Sequence, residues 1–222
     1  MTIILGIAIF FVVLYIGVEL FSKPLFAFFA KAIASIGFII VGLYSAINVM
    51  YGFVFIVVIG LLFGMIGDLI LALRPLRPKE ENETIINAGI FAFSFGHFVY
   101  LLFLTSIHQL TLFAILFSIG ITILVITMSY LMKFQMGKTR IPSYIYSLLI
   151  FLMIGQTISL ASIHDGSLGL VMLMLGAILF GISDLVLAPI YYKAMNQKYM
   201  IAINLITYYA AQILIAYSLY FL

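Results

Sequence analysis

The sequence predicts an all-α membrane protein, a polytopic bundle of about eight transmembrane helices. Of its 222 residues, 66% are hydrophobic and only 8% are charged. A soluble domain carries about 25% charged residues, so this composition excludes a soluble fold. The apolar residues also fall into runs of about 20, the length that a helix needs to cross a bilayer. We therefore expect a single transmembrane domain over residues 1–222.

Charged residues, proline and asparagine separate the apolar runs. The spans are predicted over about 2–21, 25–45, 50–73, 86–106, 110–132, 142–163, 168–190 and 199–221. The N-terminal run has neither the basic n-region nor the small-residue cleavage site of a signal peptide, so we interpret it as the first span. The connections are short, which predicts one compact bundle.

All ten Lys and Arg residues fall on one side of this predicted bundle. They lie in or beside the odd-numbered connections: Lys23, Lys31, Arg74, Arg77, Lys79, Lys133, Lys138, Arg140, Lys193 and Lys198. Cytoplasmic loops of membrane proteins are enriched in such residues. We therefore expect a multi-pass protein of a bacterial plasma membrane with both termini outside the cytoplasm. Orientation explains the net charge of +3 better than a nucleic-acid partner does.

Two aspartates lie inside predicted spans, in segments that resemble each other. Gly67-Asp68-Leu69-Ile70-Leu71-Ala72 in span three is followed much later by Ser183-Asp184-Leu185-Val186-Leu187-Ala188 in span seven. An ionisable residue within a span costs roughly 2.5–3.5 kcal/mol on insertion scales, which makes it a functional candidate. Spans three and seven correspond if the chain consists of two parallel four-helix halves, predicted here as 1–108 and 109–222.

Helical spacing predicts that both carboxyl groups face the interior of the bundle. Small residues recur on their faces at helical steps: Gly60 and Gly64 before Asp68, and Ala177, Gly181 and Ala188 around Asp184. Such stripes pack helices closely in membranes. The alternative to a functional role is that each Asp only joins helices through a hydrogen bond.

Other polar residues of the spans are candidates for a substrate site. They are His97 and Tyr100 in span four, Asn204, Tyr208 and Gln212 in span eight, and Lys23, Lys31 and Arg74 near the predicted cytoplasmic interface. The alternatives are interhelical hydrogen bonds, a pair between Glu19 and Lys23, and a snorkelling Lys31. His97 and the two Asp would be hard metal ligands. Since no HExxH or HxxxH pattern accompanies them, we expect no metal and no cofactor.

Several short segments, taken in their order and spacing, resemble the YhhN-like lysoplasmalogenase family. They are Lys23-Pro24-Leu25, Gly67-Asp68-Leu69, Gly96-His97 with Tyr100, Ser183 to Ala188, and Tyr208-Tyr209-Ala210-Ala211-Gln212. The resemblance covers the whole chain, including the eight spans. It implies a membrane hydrolase that cleaves the vinyl ether bond of a lysoplasmalogen to a fatty aldehyde and a glycerophospho-base. It also implies that Asp68 and Asp184 are catalytic and that a lysophospholipid is the partner.

The chemistry of a vinyl ether suits a pair of carboxyl groups. A proton adds to the outer alkene carbon, and water captures the oxocarbenium ion before the hemiacetal collapses. One group must donate a proton and another must accept one from water, as two carboxyl groups do in glycosidases. The sequence leaves open which Asp is the acid. It also leaves open a proton- or ion-coupled small-solute transporter that uses the same pair, and a non-catalytic scaffold.

On the hydrolase interpretation, the lipid chain is expected among the spans and the headgroup at the cytoplasmic rim. Lys23, Lys31 and Arg74 would hold the phosphate, because cations at an interface suit a phosphate group. His97, Tyr100, Tyr208 and Gln212 would line the pocket and orient water, and Asn204 would belong to the same polar wall. The headgroup preference and the oligomeric state are not predicted.

Overall fold

Long apolar helices make up nearly all of the computed structural model, which describes residues 1–49 and 52–222. The described residues form eight long α-helices and no β-strand. The helices are α1 (Thr2–Phe21), α2 (Pro24–Ile47), α3 (Phe55–Ala72), α4 (Asn82–Ile107), α5 (Leu112–Leu131), α6 (Arg140–Ile163), α7 (Leu168–Tyr192) and α8 (Lys198–Ser218). Each lies in a segment long and apolar enough to cross a membrane. The predicted all-α polytopic bundle is confirmed, and the protein is a multi-pass membrane protein.

The helix ends follow the predicted spans closely, with one clear extension. α4 begins at Asn82 instead of residue 86, because its first turn is polar and continues beyond the apolar run that defined the span. α3 begins at Phe55, after a 3-10 turn over Gly52–Val54. The predicted start of span three, at residues 50 and 51, lies outside the described residues.

Six of the helices form a closed ring. α2 packs against α3, α3 against α4, α4 against α6, α6 against α7, α7 against α8, and α8 again against α2. α1 lies outside the ring against α2 and α8, and α5 lies outside it against α6. Only 17% of the α1 span and 22% of the α5 span are buried, the two smallest fractions among these helices. The interior of the ring is therefore the part of the molecule that is shielded from lipid.

The helix packing has the symmetry that two repeat halves require. Exchanging α1–α4 with α5–α8 maps the α2–α3 contact onto α6–α7 and the α4–α6 contact onto α8–α2. The outer pairs also correspond, because Gly37 lies against Ala8 in one half and Gly155 lies against Ala114 in the other. The division of the chain at residue 108 stays a prediction. In this arrangement α3 and α7, which carry the two intramembrane aspartates, occupy corresponding places.

Glycines allow α3 to approach α4 and α8 closely. Gly96 lies against the carbonyl oxygen of Gly60, so the backbones of α3 and α4 are in near contact. Gly60 itself lies against the ring of Tyr100, and Gly64 lies against the side-chain amide of Gln212. This is the small-residue packing typical of transmembrane helices. This packing places the face of α3 that carries Asp68 toward the middle of the ring.

We predict that Gly60→Ala destabilises the protein by about 1–3 kcal/mol, the usual cost of overpacking. The new methyl group would overlap the Tyr100 ring, which is itself buried. Gly120→Ala on α5 is the matched control, since no atom lies near that position and alanine is the better helix former. Thermal unfolding in detergent measures both, and equal midpoints for the two variants would contradict the close packing.

Candidate active site

A cavity of about 150 Å³ lies within the bundle, and both aspartates line it. We call this cavity the inner chamber. Its polar lining includes Lys31 of α2, Tyr146 and Ser147 of α6, and Asn204 and Tyr208 of α8, while most of its other residues are apolar. The two segments that resemble each other in the sequence thus bring their carboxyl groups to a single cavity.

Asp68 is deeply buried and has three polar partners. Its side chain, on α3, forms an ion pair in which Lys31 Nζ lies 3.0 Å from Oδ1. The Ser35 hydroxyl donates a hydrogen bond of 2.9 Å to Oδ2, and the Tyr209 hydroxyl donates one of 3.3 Å to the same oxygen. Lys31 and Ser35 are one turn apart on α2, so a single helix face supplies both contacts. One cation and two hydroxyl donors therefore contact the Asp68 carboxyl group.

Asp184 occupies the corresponding position on α7 and is held differently. Its Oδ2 atom is buried and has no hydrogen-bond partner among the described residues. Tyr146 is the polar side chain beside it. The pair of Lys31 with Asp68 is the only ion pair among residues 1–49 and 52–222. A negative charge on Asp184 would thus be buried without a cation, which is costly in an apolar environment.

The difference between the two aspartates follows from three substitutions between the halves. Ser147 precedes Asp184 by the same number of residues as Lys31 precedes Asp68. By the same offset, Phe151 stands in the place of Ser35 and Phe93 in the place of Tyr209. All three replacing residues line the inner chamber. Every polar partner of Asp68 is therefore lost or weakened at the corresponding position around Asp184.

A second cavity, of about 490 Å³, adjoins the inner chamber. We call it the vestibule. It is lined by the ends of α1, α3 and α7, the starts of α2 and α8, and the connection after α3, and its charged lining residues are Glu19, Lys31, Arg74, Arg77 and Lys79. Lys31, Leu71, Leu187, Tyr191, Asn204 and Leu205 line both cavities. A space with four cations in its lining and a more strongly apolar space therefore meet at the Lys31–Asp68 pair.

Residues 26–219 match a family model described as the YhhN family. The chain belongs to the YhhN family. The matched region contains all of α3 and α7, hence both aspartates, and it confirms the predicted YhhN-like resemblance. Comparisons with curated proteins and with solved structures gave no match.

Several predicted substrate-binding residues of this YhhN protein line the two cavities. Arg74 lines the vestibule with its guanidinium carbon 4.4 Å from the centre of the Tyr191 ring. Asn204 lines both cavities, and its amide donates to the Ser183 carbonyl at 2.9 Å, which joins α8 to α7 next to Asp184. Tyr208 lines the inner chamber and is held from behind by a hydrogen bond of 2.9 Å from Gln212.

Other predicted site residues lie outside both cavities. Lys23 is exposed, because it is the N-cap residue of α2 and lies in the short connection before Pro24. His97, Tyr100 and Gln212 are buried one layer behind the chamber wall. His97 Nδ1 lies 2.8 Å from the Phe93 carbonyl oxygen, and its ring packs against Tyr146 of the wall. A direct substrate contact for these four residues stays a prediction.

All three of these buried side chains keep unused hydrogen-bonding atoms, which in Gln212 is Oε1. His97 Nε2 and the Tyr100 hydroxyl have no hydrogen-bond partner among the described residues. Their ring centres are 5.9 Å apart. Within the part of the chain that the structure describes, no group of three His, Asp or Glu side chains could hold a metal ion.

Sequence reasoning did not find several residues that build the site. Ser35 and Tyr209 bind Asp68, and Tyr146 lies beside Asp184. A signal existed for Ser35, which is one turn from Lys31 on α2. Tyr209 lies in the segment Tyr208-Tyr209-Ala210-Ala211-Gln212, of which only Tyr208 and Gln212 are predicted site residues. Tyr146 carried a weak signal, because Ser143, Tyr146 and Ser147 are three and four residues apart and share one face of α6.

We predict that Lys31→Met destabilises the protein by about 3–5 kcal/mol, since it leaves the Asp68 carboxylate buried without its cation. The double variant Lys31→Met, Asp68→Asn removes both charges and should recover most of that loss. Asp184→Asn should change stability little, because it breaks no ion pair. Chemical denaturation in detergent measures all three, and a Lys31→Met variant as stable as the native protein would contradict the buried pair.

Proposed function

We propose that this protein is a lysoplasmalogenase-type ether hydrolase, which cleaves the vinyl ether bond of a lysophospholipid by paired acid–base catalysis. The observation that carries the proposal is a single chamber lined by two carboxyl groups, of which only Asp68 has a cation partner. General acid–base chemistry needs such a pair in unequal protonation states. Membership of the YhhN family supports the same class of function.

The two adjoining cavities suit the two ends of a lysophospholipid. The phosphate would occupy the vestibule with Lys31 and Arg74, because both cations line that space. The vinyl ether would lie where the cavities meet, and the hydrocarbon would enter the apolar inner chamber. Leu185 lines that chamber and is 49% exposed, so it marks where the rest of the chain would leave toward lipid.

In the proposed reaction Asp184 is the acid. Without a neighbouring cation its carboxyl group retains a proton, which it donates to the outer alkene carbon. The carbon–carbon double bond becomes a single bond, and the ether oxygen shares the positive charge of the oxocarbenium ion. The Asp68 carboxylate, held by Lys31, faces the same chamber and stabilises that cation.

Asp68 then acts as the base. It accepts a proton from a water molecule as the water oxygen bonds to the oxocarbenium carbon, which forms a hemiacetal. As the hemiacetal collapses, Asp68 returns this proton to the glycerol oxygen, which leaves as an alcohol. The Asp184 carboxylate takes the hydroxyl proton, and the aldehyde forms. Both carboxyl groups thereby return to their starting states.

We predict that Asp68→Asn and Asp184→Asn each lower aldehyde release from a lysoplasmalogen by about 10²-fold or more, the usual scale of general acid–base catalysis. Asp165→Asn is the matched control, because Asp165 is exposed in the connection between α6 and α7 and its left-handed backbone also suits Asn. Purified protein in detergent should suffice, since hydrolysis needs no second compartment.

The same assay in deuterium oxide tests the proposed protonation step directly. Protonation of the outer alkene carbon should place one solvent deuterium next to the aldehyde carbonyl. Aldehyde release that survives both substitutions would contradict the assignment of the two carboxyl groups. Absence of aldehyde from the native protein, together with solute flux that requires Asp68, would favour the transporter instead.

A further inference from the structure

Glu19 is the acidic side chain among the residues that line the vestibule, and the other charged lining residues are cations. It lies near the end of α1, is half-buried, and faces the same space as Lys31 and Arg74. A cavity that needed only to attract a phosphate would have no use for a carboxylate. Its presence changes the charge pattern of the vestibule from positive to mixed.

The Glu19 carboxylate has no cation partner of its own among the described residues. The i, i+4 spacing with Lys23 allowed a pair, but no such ion pair forms, and Lys23 is exposed outside the vestibule. The Tyr15 hydroxyl donates a hydrogen bond of 3.2 Å to one oxygen of Glu19. Since Tyr15 is itself almost fully buried, this contact orients the carboxylate. An ionised carboxylate can accept about four hydrogen bonds, so most of its capacity is free.

Two of the three aromatic rings that line the vestibule already have cations of the protein over them, which leaves Phe28 as the one free ring among its described lining residues. Arg74 lies 4.4 Å from the centre of the Tyr191 ring, and Lys31 Nζ lies 6.0 Å from the centre of the Tyr15 ring. A quaternary ammonium is typically recognised by aromatic faces. A primary ammonium instead carries N–H groups that a carboxylate can accept. The arrangement therefore favours the primary ammonium.

We propose that Glu19 is the specificity-determining residue of the vestibule and that it accepts hydrogen bonds from the primary ammonium of a zwitterionic headgroup. Lys31 and Arg74 bind the phosphate of the same headgroup. The proposal rests on the proposed function for the placement of the lipid, and it adds the residue that distinguishes one headgroup from another. Ethanolamine-type lysolipids bind best, choline-type lysolipids less well, and glycerol-type lysolipids, which carry only the negative charge, least well.

The test measures dissociation constants of saturated 1-O-alkyl lysophospholipids, which lack the vinyl bond and are not turned over. Ligands with ethanolamine, choline and glycerol headgroups are titrated into the purified native protein. The ethanolamine ligand should bind about tenfold or more tightly than the glycerol ligand, the scale of one charge-assisted hydrogen bond. Glu19→Gln should remove most of that difference by weakening the ethanolamine ligand most, the choline ligand less and the glycerol ligand not at all.

Two further variants keep this test decisive. Glu80→Gln makes the same chemical change at an exposed residue outside the vestibule and should leave every dissociation constant unchanged. Glu19→Lys should reverse the order in favour of the glycerol headgroup. Equal weakening of all three ligands by Glu19→Gln, or a native protein that binds the three equally, would overturn the proposal.

The outcome also separates this inference from the proposed function. A headgroup preference that depends on Glu19 in a protein that releases no aldehyde would overturn the hydrolase and leave the recognition of the zwitterion standing. Aldehyde release without any headgroup preference would overturn the role of Glu19 and leave the hydrolase standing.

Discussion

The ion pair between Lys31 and Asp68 is the interaction on which the rest of the site depends. A carboxylate within a membrane bundle must be paired with a cation or must lose its charge. Here α2 supplies Lys31 and Ser35, α8 supplies Tyr209, and α3 carries the acid. One buried charge thus joins three neighbouring helices of the ring. Removing the cation would leave that charge without compensation inside the protein.

The same cation makes a nearly symmetric bundle chemically asymmetric. α3 and α7 hold corresponding places in the ring, yet Ser147 stands where the second half would need its lysine. One carboxyl group is therefore paired and the other is not. Lys31 also lies where the inner chamber meets the vestibule, so it contacts the acid on one side and faces the vestibule on the other. In the proposed function, Lys31 therefore takes part both in the reaction and in the binding of the headgroup.

The sequence was sufficient to predict the helices and the inward direction of the two aspartates. It was not sufficient to predict the contacts between helices. Apolar runs determine the spans, and the small residues before Asp68 predict which face of α3 packs inward. The Lys31–Asp68 pair was missed because Lys31 could equally have snorkelled to the surface. Helical spacing gives the face on which a residue lies but not its depth in the bundle. The sequence therefore did not show that His97 lies behind the chamber wall. The ring of six helices follows from side-chain packing that no local pattern encodes.

The most direct test of the account is the infrared absorption of protonated carboxyl groups in the purified protein at neutral pH. The central claim is that two carboxyl groups share a chamber in different states, with Asp68 ionised and Asp184 protonated. The account predicts a protonated carboxyl band in the native protein that is absent from Asp184→Asn. A native protein without such a band, or a band that persists in Asp184→Asn, would contradict it.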